Sequence, residues 1–201
     1  VYKRQLFGYQ NDIRLAMESV GAIVDYYDER PANNFLVKGV IRINRNLLAG
    51  YINHYYNKII KETLQKEYDY VFFIKGESIS ASNVRRLKQF HPEANFIIYH
   101  WDSIANNSNA QNLLPYFDRV FSFDKIDCER LGLHFLPLFY TPDYANIPYY
   151  DKEIKYDMLF VGTTHSDRYK LVKRIEEQII KMGGLCLTWF YFPIIIKTYI
   201  K

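Results

Sequence analysis

Tyr70-Val-Phe-Phe-Ile-Lys75 is apolar from its first residue until a lysine closes it, and this pattern limits the fold more than any other feature of the chain. A strand with one solvated face alternates apolar and polar side chains. An unbroken run of this length suits a strand covered on both faces, as in a parallel sheet between layers of helices. Strand and helix signals alternate along the chain around it, and that alternation favours an α/β fold with a parallel sheet and flanking helices.

Residues 6–8 are expected as the remnant of a first strand, and residues 11–20 as a helix with Ile13, Leu15, Ala16 and Val20 near one face, ended by Gly21. Residues 22–27 read as a second strand running into the turn Asp28-Glu-Arg-Pro31. Residues 42–66 carry Ile43, Leu47, Ile52, Tyr55, Ile59, Ile60 and Leu64 at helix-like intervals. The alternation continues with a helix over 80–90, a strand over 95–100, a short helix over 112–117 and a strand over 119–123. Asp124 is placed to cap the next helix, because its carboxylate can accept from orphan N–H groups. Residues 133–138 close the layer.

Residues 140–156 hold Pro142, Pro148 and several tyrosines without periodicity and read as a linker. A second α/β unit is expected from residue 157: a buried strand over 158–162, a helix over 167–182, the Gly183-Gly184 turn and a strand over 185–192. The domain reading is therefore 1–5 as a translated adapter outside the fold, 6–139 as a first domain, 140–156 as linker and 157–201 as the beginning of a second.

Composition excludes several classes. The 201 residues are 49% hydrophobic and 24% charged, enough to bury one sizeable core and part of another. A formal charge of +4, two units of it from Lys3 and Arg4, with no basic stripe, gives no nucleic-acid footprint. Cys128 and Cys186 lack CxxC spacing, which fits a reduced, cytoplasmic protein. The five histidines, His54, His91, His100, His134 and His165, are scattered without HExxH or paired-Cys spacing, so no metal is expected. GxGxxG, P-loop and GxSxG patterns are absent. Residues 192–200 are apolar for too short a run to span a membrane and are interrupted by Pro193 and Lys197.

Polar residues cluster at the carboxyl ends of the expected strands, where ligands of open α/β sheets bind. Four loops qualify: 28–31, 75–78, 100–103 and 122–124. Gly76 permits close backbone approach, while Lys75 and Glu77 bind polar substrate groups or pair with neighbours. In His100-Trp101-Asp102-Ser103, the indole is a stacking platform for a sugar or an anchor of the core, and Asp102 a base or a turn cap. Asp124 either lines the same cleft or only caps its helix.

A second candidate site is Asp157-Met-Leu-Phe-Val-Gly-Thr-Thr-His-Ser-Asp-Arg168, where a strand runs into a glycine turn and a helix and presents backbone N–H groups to an anion. Gly162 allows the turn, Thr163, Thr164 and Ser166 supply hydroxyls, and Arg168 is a positive fork suited to phosphate. His165 is acid, base, phosphate contact or a structural residue of the cap.

The order Phe7-Gly-Tyr9, Asp28-Glu-Arg-Pro31, Tyr68-Asp-Tyr-Val-Phe-Phe-Ile-Lys-Gly-Glu77, Tyr99-His-Trp-Asp-Ser103, Phe117-Asp-Arg-Val-Phe-Ser-Phe-Asp124, Leu136-Pro137 and Phe160-Val-Gly-Thr-Thr-His-Ser-Asp-Arg168 resembles bacterial capsular and lipopolysaccharide biosynthesis proteins of the CgeB-type glycosyltransferase-like group. The resemblance implies a GT-B architecture of two Rossmann-like domains, the first on the acceptor side and the second holding a nucleotide-sugar donor. It implies transfer of a sugar to a glycan or lipid-linked acceptor, with no cofactor beyond the donor substrate, and it leaves peripheral association with the inner membrane face open. Under it, Gly162, Thr163, Thr164, Ser166 and Arg168 lie near the donor diphosphate. His165, Asp102 and His100 are the catalytic candidates. Lys75, Gly76, Glu77, Trp101, Ser103 and Asp124 line the acceptor side. The resemblance further implies that donor-gripping groups lie beyond residue 201, so that this stretch alone is inactive. A non-catalytic nucleotide- or glycan-binding module and an interaction protein of envelope assembly are the rival classes; 19 tyrosines and 14 phenylalanines suit a contact surface as well as a core.

Overall fold

A computed structural model describes residues 8–32, 40, 45–107, 109–146, 154–164 and 167–191. The chain divides into two compact units, Val1–Asn146 and Ile147–Lys201, and the division falls inside the stretch expected as a linker.

The first unit is built on a four-stranded parallel sheet in the order β1 (Tyr70–Ile74), β2 (Asn95–His100), β3 (Arg119–Ser122) and β4 (His134–Phe135). Each strand is followed by a helical crossover, as parallel pairing requires. Ser80 caps α3 (Ala81–Phe90), its hydroxyl accepting from the Asn83 N–H. Asp124 caps α5 (Lys125–Leu131) by accepting from the N–H groups of Ile126 and Asp127. The β2–β3 crossover is the short helix α4 (Ala110–Leu113) running into a 3-10 turn, Leu114–Tyr116. Two further helices of this unit are α1 (Tyr9–Ser19) and α2 (Ala49–Thr63), the latter preceded by a 3-10 turn, Arg45–Leu48. A four-residue helix, α6 (Pro142–Ala145), forms within the expected linker.

The core lies between α2, α3 and the sheet. Ile52, Tyr56, Ile59 and Ile60 of α2 meet Val84 and Leu87 of α3 over Phe96 and Ile98 of β2. Residues 52, 56, 59, 60 and 63 form the buried stripe of α2, at the spacing a helix needs to hold one face inward. Each of the large side chains buried there contributes about 1.5–3 kcal/mol by leaving water.

Several expectations are corrected. Residues 22–27 form no strand: a strand exists only through a partner's hydrogen bonds, and no ladder reaches this segment among the described residues. Ile23 is 100% exposed, and the segment is tied down by side chains instead, Asp25 accepting from Lys66 Nζ and Tyr68 Oη at 2.7 Å each. The strand expected over 6–8 lies outside the described residues apart from Gly8. With no ladder on its outer side among the described residues, β1 is the edge of the described sheet and only half-buried despite its apolar sequence, whereas β2, paired on both sides, carries the buried positions. Strand 133–138 shrinks to two residues, and Leu15 and Val20 of the predicted α1 face are exposed. The start of the long helix, residues 42–44, lies outside the described residues, as do residues 1–5 and 192–201.

The second unit is one parallel βαβ: β5 (Met158–Thr163), α7 (Arg168–Lys181) and β6 (Cys186–Tyr191). It closes at the far end through Asp157, whose carboxylate accepts from the Leu185 N–H at 2.8 Å. Strand β5 is not buried on both faces. Leu159 and Val161 are each 64% exposed and lie opposite Leu187 and Trp189, the latter 65% exposed. No helix among the described residues is long and apolar enough to cross a membrane.

Candidate functional site

In a parallel sheet all strands end at the same edge, and the register aligns Ile74 with Tyr99 and His100 with Ser122. The loops after β1, β2 and β3 are thereby brought side by side. The loop after β1 opens with unusual backbone. Lys75 has φ 70, the one non-glycine residue at positive φ among those described, and Gly76 follows at φ 66. The Gly76 N–H donates to Ile74 O across Lys75, a tight turn that costs a non-glycine residue on the order of 1 kcal/mol. A Cβ on Gly76 would sit 2.9 Å from Ile98 Cδ1 and 3.0 Å from Leu113 Cδ1, both in the core, so only glycine fits.

Asparagines hold this turn. Asn107 Nδ2 donates to Lys75 O at 3.0 Å, and Asn109 Nδ2 donates to Gly76 O at 3.0 Å and Ile79 O at 2.8 Å. Such local strain persists only where its surroundings determine it, and it concentrates at functional sites.

The strained turn aims charge across the sheet edge. Lys75 is ion-paired with Asp102 and lies 4.0 Å from Glu77, while Glu77 is ion-paired with Arg30. The 28–31 loop is fixed from the same side: Glu29 accepts from the Ser78 N–H at 2.5 Å, Ser78 Oγ donates to Glu29 O, and Tyr55 and Tyr56 donate to the carbonyls of Asp28 and Glu29. Burial pushes the Glu29 carboxyl up to about 7; the Ser78 N–H opposes this and the neighbouring Glu77 adds to it.

Lys75, Glu77, His100, Asp102, Asn106 and Asn107 line a cavity of about 20 Å³, which admits one water or hydroxyl rather than a ring. His100 is 2% exposed, and its Nε2 has no partner among the described residues. Burial drops its imidazole to about 4, against the opposing charge of Asp127, so the ring is neutral near pH 7. Two other buried polar atoms without a partner among those described, Arg30 Nε and Asn109 Oδ1, belong to residues bonded to the same 75–79 loop. Buried polar groups are almost always satisfied in folded proteins, so His100 Nε2, closed to solvent and without a partner among the described residues, is an exception beside this cavity.

Of the four predicted loops, three converge directly. Trp101 is not an open platform: Lys75 Nζ lies 5.6 Å from its ring centre, Tyr9 meets it edge-on at 6.2 Å and Phe139 at 6.0 Å. Ser103 donates to Asp127, which also accepts from the Ile104 N–H and pairs with Arg130. Asp124 is engaged as the α5 cap. Sequence reasoning missed Asn107 and Asn109, Asp127 as the anchor of the 103–104 loop, and the aromatic partners Tyr9 and Phe139. The run Asn106-Asn-Ser-Asn109 between strand and helix is the turn chemistry that carries a signal for the first two.

In the second unit, Gly162 lies inside β5, opposite Phe190, and not in a turn. A Cβ there would come 2.8 Å from Phe160 Cζ; the missing side chain lets the Phe160 ring lean along its own strand onto Phe190, at 5.1 Å. The strand therefore continues through Thr163. Arg168 starts α7 and its Nη1 reaches Thr163 Oγ1 at 3.4 Å, while Asp167 makes no side-chain cap bond. Thr164 follows the strand, and His165 and Ser166 lie outside the described residues. No group of three or more His, Cys, Asp and Glu residues among those described could hold a metal ion. Comparison with protein-family models, with curated proteins and with solved structures finds no match.

Proposed function

We propose that the protein is a sugar-transferring enzyme of the kind its sequence blocks resemble, acting in capsule or lipopolysaccharide biosynthesis, and that the carboxyl edge of β1 and β2 receives the acceptor. The observation that carries this reading is the cluster at this edge: Asp102 paired with Lys75, Glu77 4.0 Å from the same lysine, and the buried, neutral His100 lining the same small cavity. An acceptor hydroxyl at this edge meets the Asp102 carboxylate at the cavity mouth. As the hydroxyl oxygen attacks the anomeric carbon, the bond from that carbon to the donor diphosphate breaks with its electron pair on the leaving oxygen, and Asp102 takes the hydroxyl proton.

The donor diphosphate is assigned to the segment where β5 gives way to α7, with Thr163 and Thr164 as hydroxyl donors and Arg168 as counter-charge. Turnover of nucleotide sugars by the intact protein tests the reading. Asp102→Asn is expected to lower kcat about 10²-fold or more, His100→Gln to raise the acceptor KM, and Arg168→Ala to raise the donor KM. Full turnover in all three variants refutes it, and binding of donor and acceptor without turnover assigns a binding module instead.

A further inference from the structure

The cavity at His100 is lined by charges that are already engaged. Lys75 is held by Asp102 and approached by Glu77, and Glu77 is itself held by Arg30 from outside the lining, so one cation faces two carboxylates in the cavity. The remaining polar lining is the neutral imidazole of His100 and the amides of Asn106 and Asn107. Asn107 is committed to the backbone: its Nδ2 donates to Lys75 O and its Oδ1 accepts from the Asn109 N–H. Glu29, behind Ser78, adds only negative charge as it ionises.

Resting on the acceptor reading above, we infer that this site selects an uncharged, hydroxyl-bearing group, such as a neutral hexopyranoside, over a uronic acid or phosphorylated sugar, and that Asp102 sets the choice by holding Lys75. An anionic ligand finds no unengaged cation in the cavity among the described residues. To bind, it must take Lys75 from Asp102 and leave that carboxylate beside its own charge. A hydroxyl asks for none of this: it can accept from the edge of the Lys75 ammonium without separating an ion pair. Asp102 is the member that can be altered cleanly, because its side chain is 52% exposed at the cavity mouth, whereas Glu77 is mostly covered and holds Arg30.

The test follows the His100 imidazole by NMR while the intact protein is titrated with methyl β-D-glucopyranoside and, separately, with the corresponding methyl glucuronoside and with inorganic phosphate. The neutral glycoside is expected to shift the His100 resonances saturably, and the two anions to bind about two- to fivefold more weakly, the effect of one partly exposed charge pair. In Asp102→Asn, Lys75 loses its main partner, and the glucuronoside is expected to bind at least as well as the neutral glycoside. Tighter binding of either anion to the unaltered protein overturns the inference. So does unchanged discrimination in Asp102→Asn, or the absence of any His100 shift with the neutral glycoside. Failure of the enzyme reading is separate: it shows as binding without turnover, which this experiment does not use.

Discussion

Gly76→Ala isolates the physical cause of the strained turn on which the candidate site rests. Two costs are combined at this position. Gly76 sits at φ 66, where an L side chain costs about 1 kcal/mol. The added Cβ would also come within 2.9 Å of Ile98 Cδ1 and 3.0 Å of Leu113 Cδ1. Both partners are side-chain ends, but both residues are fully buried, so neither can swing into open space. Overpacking of this kind costs about 1–3 kcal/mol, giving a total of about 2–4 kcal/mol. Gly132 supplies the control. It caps α5 at φ 67 with nothing within 4 Å of its would-be Cβ, so Gly132→Ala reports the backbone cost alone, about 1 kcal/mol. Guanidinium unfolding, followed by Trp101 fluorescence in a Trp189→Phe background, reads the first unit. Gly76→Ala is expected to lower the midpoint at unchanged m by two to four times as much as Gly132→Ala. Equal losses in the two variants would show that the close approach to Ile98 and Leu113 has no energetic consequence.

Two further outcomes are expected. His100 is neutral when folded down to about 4 but takes a proton below about 6.5 when unfolded, so its contribution to stability is whole above 6.5 and is lost as pH falls toward 4, by about 3 kcal/mol. Glu29, raised to about 7, acts oppositely and favours the folded state as pH falls below 7; His100→Gln should therefore gain on the unaltered protein between pH 6.5 and 4.5, and parallel pH–stability curves would contradict this. Asp124→Ala removes two cap hydrogen bonds and is expected to cost about 1 kcal/mol in thermal or denaturant unfolding, with Asp124→Asn recovering most of it.

The sheet was legible because each strand's residues carry their own signal. The apolar run at 70–74, the strand at 95–100 and the cap Asp124 are local features, and local propensity and local hydrogen bonding decide them. The same locality explains why the polar strand ends fall at one edge: in a parallel sheet, every carboxyl end lies on one side whatever the details of packing. The errors fall where a neighbour decides. Residues 22–27 have strand composition, but a strand needs a ladder. Gly162 has turn composition, but the Phe160 ring occupies the space that its missing Cβ leaves.

Sequence by itself thus determined the α/β class, the order of the elements and which loops share an edge. It offered Lys75, Glu77, His100, Trp101 and Asp102 as candidates without assigning their states. Tertiary structure decided those states. It set Lys75 at positive φ, paired it with Asp102, covered Trp101 with Tyr9 and Phe139, and buried His100 with one nitrogen that has no partner among the described residues. The reason is that pairing, desolvation and close approach depend on residues distant in sequence, while period and propensity do not.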